Sequence, residues 1–145
     1  MAQLFRRSFL VVVVFAFFTE GVSAQKKHTH HQTILPEKEI AVIHIDLVDP
    51  WTISPWSSKA ILVEININLY HTNQGLNEYL LESDRYLVQT QVNADTLVVT
   101  PLISDRNNLK NQEGQTIREE INYKLYMPAI FEQKATGWLE KKRNP

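Results

Sequence analysis

From Ile40 onward, apolar and polar positions repeat with a period of two rather than 3.6. Ile43, Ile45 and Leu47 alternate with His44 and Asp46, and Asp49-Pro50 breaks that first strand. Residues 51–54 read as a short second strand that stops at Pro55. Residues 59–70 carry the clearest signal. Ile61, Val63, Ile65, Ile67 and Leu69 share one face, and Leu62, Glu64, Asn66, Asn68 and Tyr70 share the other. Leu76, Tyr79 and Leu80 then fall at helical spacing, which predicts a short helix or an ordered loop near residues 75–84. Strands are predicted again at 85–92 and 96–102, paired as a hairpin across a turn at 93–95. After a polar loop at 104–114, residues 117–127 form a long strand. Ile117, Ile121, Tyr123, Leu125 and Met127 lie on one face, and Glu119 is the single polar intrusion there. A last strand is added within 129–135. Six or seven mostly antiparallel strands predict an all-β domain, either a sandwich or a short β-solenoid.

The N-terminus has a different pattern. Arg6 and Arg7 precede the apolar run at residues 9–18, and Val22-Ser23-Ala24 supplies a signal-peptidase site. This is a secretory signal, helical in its apolar run, with cleavage expected after Ala24. The run is about half the roughly 20 residues that a membrane span requires. The expected organisation is therefore a signal peptide at 1–24, a flexible His-containing leader at 25–38, a β domain at 39–136 and a basic tail at 137–145. Export to the periplasm, cell surface or medium follows, with no membrane attachment once the signal is removed.

Composition narrows the chemistry. The 145 residues include no cysteine, so disulfides, thiolate metal sites and thiol catalysis are excluded. A formal net charge of −1 gives no electrostatic basis for nucleic-acid binding. Loss of the signal removes Arg6, Arg7 and Glu20 and leaves the chain slightly acidic. His28, His30 and His31 form a dense imidazole group, but the other histidines, His44 and His71, belong to other elements, and no metal or cofactor is expected. His44, Asp46 and Asp49 are the one place where an acid–base pair could arise, without a visible nucleophile. The stronger candidates are aromatic. Trp51 and Trp56 lie near turns, and Tyr70 and Tyr126 lie on the outward faces of the two long strands. Such rings stack on sugars or anchor protein interfaces.

The opening Asp49-Pro50-Trp51-Thr52-Ile53, the Trp56-Ser57-Ser58 turn and the strand at 60–69 form one pattern with Asp95-Thr96-Leu97-Val98-Val99 and residues 121–128. Over residues 40–127 this pattern resembles bacterial adhesin domains of the head-GIN type and related exported all-β families. The resemblance implies an exported β fold with an adhesive role and brings no catalytic residues. The expected function is a non-enzymatic, adhesin-like or envelope interaction module whose partner is a cell-surface protein or glycan. The alternative is a small carbohydrate-binding module using Trp51 and Trp56, with a hydrolase ranked last. Mass spectrometry of the exported protein is expected to find Gln25 as its first residue; recovery of intact residues 1–24 on a membrane-bound product would refute cleavage.

Overall fold

The alternation at residues 61–70 becomes the axis of the structure. The computed structural model describes residues 27–143, so the signal segment at 1–24 lies outside the described residues. In chain order the elements are β1 (Lys27–Ile34), β2 (Val42–Ile45), β3 (Trp51–Trp56), β4 (Ile61–Tyr70), α1 (Gln74–Glu82), a 3₁₀ turn (Asp84–Tyr86), β5 (Val88–Asn93), β6 (Thr96–Pro101), β7 (Arg118–Pro128), β8 (Phe131–Ala135) and β9 (Trp138–Lys141). The described residues are thus mostly β, in two sheets ordered β1-β4-β7-β3 and β5-β6-β2-β9-β8. Five strand pairs are antiparallel. Two, β2 with β6 and β3 with β7, are parallel.

β4 and β7 pair antiparallel along almost their whole length, with Val63 opposite Leu125, Ile65 opposite Tyr123 and Ile67 opposite Ile121. Residues directly opposite share a face, so these apolar sets combine into one inner surface. All of them are buried, and they form a single core cluster with Ile43, Ile45, Val88, Leu97, Val99 and Leu139 of the second sheet. Each fully buried Ile or Leu contributes roughly 1.5–3 kcal/mol relative to exposure. α1 closes one end of this core. Asn73 caps it by accepting a 2.9 Å bond from the Leu76 N–H, and Leu80 is its buried residue. Tyr79, expected on the inner face, is 70% exposed, whereas Leu76 packs against the core.

Three stretches depart from the sequence expectation. Residues 27–34, read as a mobile leader, form β1 and pair with β4 from Lys27 opposite Asn68 to Ile34 opposite Ile61. A polar strand is stable at a sheet edge because one backbone side and one face remain in water. The 137–145 tail contains β9, an interior strand between β2 and β8, in which Leu139 lies opposite Ile43 and is buried. Its flanking Lys and Glu residues obscure that single apolar anchor. β3 runs through Pro55 instead of stopping there. It is an edge strand, where a residue without an N–H leaves no ladder bond broken.

The turn between β8 and β9 needs glycine. Gly137 has φ +77°, its carbonyl accepts from the Ile45 N–H at 2.7 Å, and a Cβ there would stand 2.7 Å from the Ile45 carbonyl oxygen. Gly137→Ala is expected to cost roughly 1–3 kcal/mol. Urea unfolding measures this, and an unchanged midpoint would contradict the close approach of β9 to β2.

Candidate functional site

Strand alternation decides where the candidate aromatics point. Trp51 lies opposite Tyr123 and packs against the core, on the inner side of the edge strand β3. Trp56, five residues on, lies on the other face, with its ring 6.1 Å from that of Tyr126. The structure therefore does not bring Trp51 and Trp56 together. Tyr70 and Tyr126 share the outer face of the first sheet, but Tyr70 stands opposite Arg118, eight residues or about 27 Å along the strand from Tyr126. Their hydroxyls are also engaged. Tyr70 donates to Glu120 at 2.7 Å beneath the Arg118 guanidinium, and Tyr126 donates to Glu64 at 3.3 Å beside Lys124. The Asn66 amide, helped by Tyr126, Lys124 and His31, holds the Glu64 carboxyl below the usual carboxylate range against the opposing effect of burial.

Trp56 instead belongs to a cleft of about 480 Å³ at one end of the two sheets. Its indole N–H donates to the Ala60 carbonyl at 2.7 Å, which fixes the ring across the turn, and the Trp56 carbonyl accepts from Ala129 at 3.0 Å. Leu35, Ile40, Pro128, Ile130 and Phe131 complete an apolar lining contributed by both sheets and the segment after β1. Leu35 is 69% and Ile130 52% exposed. Lys38, Lys59 and Lys141 lie at the rim, with Lys141 paired to Glu39 at 2.5 Å. Sequence reading found Trp56 but missed its companions, because residues 35–40 and 128–131 look like connections and meet only through the fold.

The other sequence candidates separate. His28 and His30 follow one face of β1 and His31 the other, where it lies 3.8 Å from Glu64. His30 is bonded to the Leu81 carbonyl at 3.0 Å. Among the described residues no group of three or more His, Cys, Asp or Glu is placed to hold a metal ion. His44 stacks on Trp138 at 3.9 Å on the outer side of the second sheet. Asp49 lies elsewhere, pairing with Arg106 at 2.5 Å beside an open polar concavity of about 680 Å³. Glu119 borders the same concavity and accepts from Arg85 Nε at 2.7 Å, Arg85 Nη2 at 2.9 Å and the Tyr86 hydroxyl at 2.6 Å. Arg85 also donates to the Asn107 carbonyl, and Tyr123 donates to the Tyr86 carbonyl. These paired groups tie the loop at 104–114, the 3₁₀ turn and β7 into one closure of the core. The sequence signal for it was Glu119 itself, since a carboxylate on an inner face demands partners.

Comparison with protein families, curated proteins and solved structures finds no match to this chain.

Burial pushes the Glu119 carboxyl upward, but the hydrogen bonds from Arg85 and Tyr86 outweigh it and hold it below its ordinary value of 4.5. A lowered folded-state value means that its stabilisation is present above the unfolded value and is lost as pH falls through the folded one. Glu119→Gln is expected to cost about 2–4 kcal/mol at neutral pH, because Arg85 loses its counter-charge. The gap to wild type should close below pH 4.5 in denaturant titrations. A pH-independent gap would contradict the ionic role.

Proposed function

We propose that the chain is an exported, non-enzymatic interaction module, adhesin-like in action. In this reading the two sheets form a sandwich whose Trp56 end contacts a protein of the cell envelope. The observation that carries it is the apolar cleft around Trp56, where Leu35 and Ile130 stand exposed beside a pre-fixed indole. Concave apolar sites with a few fixed polar groups are where ligands and partner side chains bury most area, and a tryptophan can bury about 150–250 Å² on contact. The occupant that fits is an apolar side chain flanked by acidic residues, which would face Lys38 and Lys59 at the rim. A glycan platform built on Trp51 and Trp56 requires both rings on one surface, and the alternation of β3 sets them on opposite faces. The protein-contact reading is therefore preferred. Export rests on the basic head, the apolar run and the Val22-Ser23-Ala24 site.

The test compares charge insertion inside and outside the cleft. Ile130→Asp and Leu35→Asp are expected to leave stability within about 0.5 kcal/mol while weakening binding to isolated envelopes by about tenfold. Val48→Asp, at a residue 86% exposed and outside the cleft, should leave binding unchanged. Equal binding by all four proteins would overturn the cleft as the contact surface.

A further inference from the structure

The first strand of the second sheet, β5, is an edge, and its sequence lacks the usual protection. Val88-Gln89-Thr90-Gln91-Val92-Asn93 contains no charge and no proline, and residues 89–93 are all exposed. Such a strand is a template for pairing. Its hydrogen-bonding phase is fixed by two observations. The Leu102 N–H donates to the Leu87 carbonyl on the side facing β6. On the opposite side, the Gln32 side chain of β1 accepts from the Val88 N–H at 3.0 Å and donates to the Val88 carbonyl at 2.7 Å. Because backbone direction alternates, Thr90 and Val92 also turn their N–H and C=O groups away from β6, beyond the reach of the Gln32 clamp.

A groove of about 310 Å³ adjoins this free stretch, lined by Thr90, Val92 and Leu97 on one side and Ile34, Leu35 and Pro36 on the other, with Glu37 and Lys38 beyond them. We propose that β5 is a homodimerisation edge, paired antiparallel with β5 of a second copy about a two-fold axis at Gln91. In this register Thr90 meets Val92 of the second copy, each pair exchanging both backbone bonds, and Gln91 meets Gln91 in a non-hydrogen-bonded pair. The occupant is a second copy for three reasons. The charge-free strand meets itself without like-charge repulsion. The register uses the outward groups of Thr90 and Val92 while leaving Gln32 on Val88. The incoming Val92 enters the apolar part of the groove, beside Ile34 and Leu35. This surface adjoins the Trp56 cleft and shares Leu35 and Pro36 with it, but the pairing rests on the β5 backbone and does not depend on the role of the cleft.

The absence of native cysteine makes the register directly testable. In a non-hydrogen-bonded antiparallel pair the Cα atoms lie about 4.5 Å apart, within disulfide range. Gln91→Cys is expected to oxidise to a covalent dimer about tenfold faster than Gln89→Cys, whose counterpart lies about 13 Å away along the strand. Sedimentation of the purified wild-type protein should show a concentration-dependent dimer. Thr90→Pro, which removes an N–H facing away from β6, should abolish it without changing the melting temperature. A wild type that stays monomeric, as expected if β5 instead takes an extended segment of another protein, would overturn the proposal. So would equal crosslinking at positions 89 and 91.

Discussion

The antiparallel pairing of β4 with β7 is the constraint on which the other elements depend. Its register puts Val63, Ile65 and Ile67 against Leu125, Tyr123 and Ile121, so every inward position of the two longest strands except Glu119 is apolar. A slip of one residue would turn Glu64, Asn66 and Asn122 into the core and expose the isoleucines, a change that costs many buried side chains at once. With that register fixed, β1 and β3 can only add at the two edges, and the second sheet must cover the inner face. The polar outer face, with its Thr29–Asn66–Glu64–Tyr126 hydrogen bonds, is the other half of the same alternation.

The ends of the core are closed by different chemistry. At one end Glu119 holds Arg85 and Tyr86, and Arg106 holds Asp49, so partly buried charges are neutralised in pairs. At the other end the closure is apolar and incomplete, leaving Trp56, Leu35 and Ile130 around an open cleft. A surface that a polar network could have sealed is left apolar. That asymmetry is the physical basis for reading the Trp56 end as a contact surface.

The long strands were legible in the sequence because each carries an apolar face five residues deep, unbroken in β4 and interrupted only at Glu119 in the stretch that forms β7. β1 and β9 were not, for opposite reasons. β1 makes its case through backbone pairing to β4, which leaves almost no hydrophobic pattern in KHTHHQTI. β9 is only four residues long and depends on one buried side chain, Leu139. Among the candidate residues, Trp56 was visible as an indole at a turn. The lining supplied by residues 35–40 and 128–131 is a product of tertiary folding, and so is the partnership of His44 with Trp138. Glu119 was visible as an anomaly, but its partners Arg85 and Tyr86 lie more than thirty positions away.

Residue-resolved hydrogen exchange on the free and envelope-bound protein tests the central claim most directly. The amides of β4 and β7 should be the slowest in both states, since they sit in the best-buried pairing. Binding should add protection at residues 35–40, 56–60 and 129–131, around the cleft. New protection confined to the outer face of β4 and β7, with none at the cleft, would contradict the account.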